Sequence, residues 1–117
     1  MRAQKNYPDQ LNISEFEDKS LLILDDDDPL RGRLSRAMEK KGFIVKEAKT
    51  VAEGLQMVKN NPPSFALVDL RLEDGNGLDV VKELSKNKKD SRIVMLTGYG
   101  NLPTAVAAVK AGAIDYI

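Results

Sequence analysis

The sequence predicts an α/β fold, a parallel sheet with helices on both faces. Short apolar runs bounded by turn residues, as in "LLIL", "FALVDL" and "RIVMLT", have the length and composition of strands buried on both faces. Between them, apolar residues recur at helical spacing. Strand and helix alternate four times through short connections, the pattern of a parallel sheet.

Each element has its own signal. Residues 1–18 show no period and read as a polar leader, leaving 19–117 as one domain. Leu21 to Leu24 is the first strand. Leu30, Leu34, Ala37 and Met38 mark a helix that "KKG" ends, with Gly42 just past the C-cap. Phe43 to Ala48 reads as a strand. Thr50 and Glu53 form a capping box for a helix with Val51, Leu55 and Val58 on one stripe, and Pro62 and Pro63 stop it. Phe65 to Leu70 is a buried strand, followed by a Gly-rich loop and a helix carrying Leu78, Val81 and Leu84. Arg92 to Thr97 is the fourth strand. After another Gly-rich loop, Thr104 caps a helix rich in Ala and Val, and "DYI" begins a fifth strand. There is no sequence repeat.

Composition narrows the function. Lys and Arg balance Asp and Glu at 18 each, so no global basic field draws the chain to nucleic acid or an anionic membrane. No apolar run approaches 18 residues, and the start lacks the apolar middle of a signal peptide. Cysteine and histidine are both absent. That excludes disulfides, thiolate and imidazole metal sites and a Ser-His-Asp triad, and leaves oxygen-ligated Mg²⁺ or Ca²⁺ as the metals to consider. A cytoplasmic protein is expected.

The carboxylates point to a site. Four consecutive aspartates, Asp25 to Asp28, follow the first strand, and Asp69 ends the third. Ligands of open α/β sheets bind outside the carboxyl ends of strands, where the strand order reverses. If the sheet takes the order 2-1-3-4-5 of flavodoxin-like folds, an order taken over from that fold rather than read from these residues, strands 1 and 3 are neighbours at that point. Asp25, Asp26 and Asp69 then converge, and Thr97 joins them from strand 4.

From about Ser20 to Ile117 the chain resembles a response-regulator receiver domain of two-component signalling. The resemblance rests on the acidic pair Asp25-Asp26, on Asp69, on Asn76-Gly77 in the following loop, on Thr97 with Gly98 after it, and on "KAGAIDY" before the fifth strand. "DLRLEDGNGLDVV" and "LTGYGN" are similar to the global redox-response regulators of proteobacteria.

The resemblance implies a flavodoxin-like doubly wound sheet. It implies Asp69 as phosphoacceptor from a sensor histidine kinase, and Mg²⁺ held by Asp26, by Asp25 through water, by Asp69 and by the Arg71 backbone carbonyl. Thr97 would hydrogen-bond the phosphoryl group, Gly98 would leave it space, and Tyr116 would be the aromatic switch. Transcription would be controlled through an output domain elsewhere, so this chain would act as a switch rather than an enzyme and would not itself contact DNA. Among the remaining aspartates, Asp28 before Pro29 reads as the helix N-cap, and Asp27 as a charge favouring the helix dipole.

Bland readings stand beside these. Tyr116 is equally an ordinary half-buried strand residue, and Tyr99 and Arg71 are equally ordinary loop residues. Two departures from the family pattern stand out. Glu73 replaces a common Pro, and the sequence stops two residues before the family's Lys and its last helix. A truncated receiver that phosphorylates poorly and associates into homodimers is therefore expected, unless Leu11, Ile13 and Phe16 of the leader cover the gap. The rival readings are a receiver-like interaction module without phosphotransfer and a haloacid-dehalogenase-type phosphatase. The latter needs a second Asp where Arg71 stands.

Overall fold

The computed structural model describes residues 18–96, 112 and 115–116. Its elements are β1 (Ser20–Leu24), α1 (Asp28–Lys40), β2 (Ile44–Ala48), α2 (Val51–Asn60), β3 (Phe65–Asp69), β4 (Arg71–Leu72), β5 (Gly75–Asn76), α3 (Leu78–Asn87), β6 (Arg92–Leu96) and β7 (Asp115–Tyr116). The main sheet is parallel, in the order β2-β1-β3-β6-β7. With β6 and β7 as the fourth and fifth strands, this is the expected 2-1-3-4-5 order. The leader up to residue 17, Thr97, Gly98, Tyr99 and Thr104 lie outside the described residues, as do most of the helix expected after Thr104 and the side chain of Tyr116.

β1 is an inner strand and shows why its sequence from Leu21 to Leu24 is apolar throughout. Leu22 and Leu24 face α2 and α3, in a core with Ala66, Val68, Ile93, Met95, Val58, Val80, Val81 and Leu84. Leu21 and Ile23 face the other way, with Phe65, towards Leu34 and Met38 of α1. There Phe43 meets Phe65 edge to face, ring centroids 5.0 Å apart. Alternation thus sends successive side chains into two cores, which only an all-apolar strand can satisfy. β2 lies at the sheet edge and needs no such composition. Ile44 remains 64% exposed there.

The helix boundaries follow local chemistry. Gly42, at φ 107°, closes α1: its N–H donates to Glu39, and the next N–H, from Phe43, to Met38. At α2, Thr50 Oγ1 accepts from the Glu53 N–H at 3.0 Å, while Glu53 reaches back to the Lys49 N–H rather than to that of Thr50 itself. The helical stripe read from the sequence of α1 is off at one place. Ala37 is exposed, and Ser35 is the buried residue of that helix.

The Ser35 hydroxyl has no hydrogen-bond partner among the described residues. Burying an unpaired hydroxyl costs about 1–3 kcal/mol, and Ala is the better helix former. Ser35→Ala is therefore expected to raise stability by about 1 kcal/mol in urea unfolding. A loss of stability would show that the hydroxyl is satisfied.

Candidate functional site

β1 and β3 lie side by side, with Leu24 opposite Val68. The residues just past these positions are Asp25 and Asp69, so the register alone brings the two carboxylates to one end of the sheet. Carboxylate oxygens of Asp25, Asp26 and Asp69 lie within 4.8 Å of one another. The chain moves from β1 to β2 on one side and onward to β3 on the other, which makes this end the crevice of the sheet.

The four aspartates divide by geometry. Asp25 extends the ladder by one rung, its N–H donating to the Ala48 carbonyl at 3.1 Å, and it is buried. Its Oδ1 accepts the Asp27 N–H at 2.9 Å, which turns the chain towards α1. Asp26 is exposed beside it. Asp27, not Asp28, is the N-cap: its backbone is extended and its Oδ1 accepts from the Leu30 N–H at 3.0 Å. Asp28 is already helical, with Pro29 as the second helical residue, and it pairs with Arg31 at 2.7 Å. The preference for Pro at the first helical position placed the cap one residue too late.

Sequence reasoning missed Arg31. Its guanidinium donates from Nη1 to the Asp25 carbonyl at 2.8 Å, from Nε to Glu47 at 2.9 Å and from Nη2 to Asp28. One side chain thereby ties α1, the end of β1 and β2 together behind the acidic pair. Only the Asp28–Arg31 spacing was visible in advance.

The loop after Asp69 contains more structure than its glycines suggest. β4 and β5 form a small antiparallel hairpin, with Arg71 opposite Asn76. The Gly77 N–H donates to the Leu70 carbonyl at 2.8 Å, and Asn76 Oδ1 accepts from the Leu78 N–H at the start of α3. Asp74, in the hairpin turn, was also missed. Its carboxylate accepts from the Val51 and Ala52 N–H groups at 2.8 and 3.1 Å. These two donors at the start of α2 hold its carboxyl below the usual range.

The electrostatics are those of clustered carboxylates that repel one another. Burial pushes the Asp69 carboxyl up to about 6, helped by the Asp25 and Asp26 charges and opposed by the Arg71 and Leu70 N–H groups. Burial also raises Asp25, against the Asp27 N–H that stabilises its charge. Three clustered carboxylates form an all-oxygen donor set suited to a hard cation such as Mg²⁺. Of the residues singled out in the sequence, Asp25, Asp26 and Asp69 come together, Arg71 follows on β4, and Tyr116 lies on β7 opposite Met95.

Comparison with known proteins gives a consistent picture. The response regulator receiver domain family matches residues 21–117. The photosynthetic apparatus regulatory protein RegA of Cereibacter sphaeroides is 59% identical over 100 residues, 86% of this chain and 54% of RegA. The acid tolerance regulatory protein ActR of Rhizobium meliloti is 55% identical over 100 residues, 86% of this chain and 52% of ActR. The chain spans about half the length of these curated relatives. A response regulator protein from Burkholderia pseudomallei, whose crystal structure holds a phosphorylated aspartic acid, a calcium ion and citrate, superposes with a TM-score of 0.80 at 38% identity. The match covers 85% of this chain and 58% of that one.

Proposed function

Because this chain belongs to the response regulator receiver domain family, we propose that Asp69 accepts a phosphoryl group from a sensor histidine kinase in the cytoplasm. The observation that carries this reading is the meeting of Asp25, Asp26 and Asp69 within 4.8 Å at the crevice of the sheet. A phosphorylated aspartic acid in the Burkholderia pseudomallei relative supports it.

An Asp69 carboxylate oxygen attacks the phosphorus of a phosphohistidine. The P–N bond breaks, its electron pair stays on the imidazole, and an acyl phosphate forms on Asp69. Mg²⁺ would supply positive charge between the incoming phosphoryl oxygens and the carboxylates. Asp26 and Asp69 would hold it directly, Asp25 through water, and the Arg71 carbonyl would complete the protein's share. The Arg71 N–H, facing the Asp69 carboxylate, orients the nucleophile. Thr97 and Tyr116 would convert phosphorylation into a change of surface, read by a transcriptional output domain.

Incubation with acetyl phosphate and Mg²⁺, followed by intact-mass measurement, tests this. Slow, partial addition of one phosphoryl group is expected on the native chain and none on Asp69→Asn. An unmodified native chain, or modification that persists in Asp69→Asn, overturns the assignment.

A further inference from the structure

The hairpin between Asp69 and α3 is anchored at both ends. At its base, the Gly77 N–H holds the Leu70 carbonyl. Leu72 is buried in the same core as Val51, and Gly75 lies against Val51, with space for a Cβ 3.4 Å from Val51 Cγ2. At its tip, Asp74 spans the first two N–H groups of α2. The segment Asp74 grips is itself tied to the other half of the site, because Ala48, just before α2, accepts the Asp25 N–H. The contacts close a ring: Asp25 to Ala48, along the chain to Val51, across to Asp74, and back through Arg71 to Asp69. Asp74 bridges the two arcs of this ring through side-chain hydrogen bonds.

We propose that Asp74 is a positioning residue for the cation site. By clasping the hairpin to the start of α2, it sets where Arg71 on the hairpin sits relative to the acidic pair at the end of β1. The inference rests on the Mg²⁺ reading of the previous section and adds a residue that touches neither the cation nor the phosphoryl group. Metal affinity depends strongly on such outer supports, with losses of roughly 10–100-fold when they are removed. Asp74 also caps α2, so its loss must be separated from simple weakening of that helix. Thr50→Ala provides the comparison, since it removes a cap bond from the same helix end and leaves the hairpin clasp intact.

Isothermal titration with Mg²⁺ and thermal melts across a Mg²⁺ series, on the native chain and on Asp74→Ala, Asp74→Asn and Thr50→Ala, test the proposal. Without Mg²⁺, Asp74→Ala and Thr50→Ala are both expected to melt earlier. Only Asp74→Ala should weaken Mg²⁺ binding, by roughly tenfold, the lower end for an outer support. Asp74→Asn keeps one acceptor oxygen and should fall between. Equal Mg²⁺ affinity in Asp74→Ala and Thr50→Ala overturns the positioning role and leaves the cation site standing. A native chain that binds no Mg²⁺ overturns both.

Discussion

Replacing Gly77 with alanine is expected to destabilise the domain by about 1–3 kcal/mol and to weaken Mg²⁺ binding with it. The backbone at Gly77 is ordinary, at φ −60° and ψ −19°, so the demand for glycine there is one of space. A Cβ would fall on the Asp69 carbonyl oxygen and come within 2.8 Å of Val68 Cγ1. Neither can retreat. Val68 is fully buried, and β3 is paired on both sides, with β1 and β6. Relief must come from moving the loop or the end of β3, and Asp69 sits on that end. In a domain of this size each kcal/mol lowers Tm by roughly 4–8 °C. Thermal melts with and without Mg²⁺ measure both effects. An unchanged Tm and an unchanged Mg²⁺ response would show that the loop yields freely.

Asp69→Asn is expected to stabilise the metal-free chain at neutral pH while abolishing its phosphorylation. A carboxyl whose folded pKa is raised, here from 3.8 to about 6, binds its proton more tightly in the folded state. Stability is then greatest below the unfolded pKa and falls as pH rises through the interval from about 4 to about 6. The full cost of ionisation would be about 3 kcal/mol, and solvent at this half-buried group reduces it to about 1–2 kcal/mol. Asp69→Asn should therefore melt higher than the native chain at pH 7 and equally at pH 4. Asp18, Asp28 and Asp74 are shifted the opposite way, so their contributions are lost only below that interval. Mg²⁺ at ten times its Kd should return about 1.4 kcal/mol to the native chain and nothing to Asp69→Asn. A difference in Tm that is the same at pH 4 and pH 7 would remove charge repulsion as its cause.

The fold was legible because its strands carry their burial in composition. "LLIL" is apolar at every position since β1 feeds two cores, and Asp25 and Asp69 are conspicuous because each ends such a run. The convergence of Asp25, Asp26 and Asp69 was not legible from the residues alone, because it needs the strand order, which was taken over from flavodoxin-like folds and is seen in the structure. Other features were hidden for physical reasons. A two-residue strand such as β4 or β5 is too short to show a period of two, so the hairpin looked like a Gly-rich loop. Arg31 and Asp74 are ordinary surface-type residues by sequence. Their partners Glu47 and Val51 lie 16 and 23 residues away, beyond any local pattern. The N-cap was misplaced because Pro29 was read as the first helical residue when it is the second, and Asp27 and Asp28 are chemically identical. Only the turn bonded by Asp25 and the pairing of Asp28 with Arg31 separate them.

The inner position of β1 and β3 has a consequence for how the molecule breathes. Amide hydrogens on strands paired at both edges exchange with solvent only in the largest openings, while edge strands, short hairpins and helix ends open at a fraction of that cost. β2 has a free edge among the described residues, and the β4–β5 hairpin is two residues long on each side. Hydrogen exchange should therefore be fast along the outer edge of β2 and at the hairpin, and slowest along Leu22 to Leu24 and Ala66 to Val68. Asp25 and Asp69 ride on the slow set. The loops around the carboxylates can fluctuate on fast timescales while the charges themselves keep their spacing, like fixed jaws with moving lips.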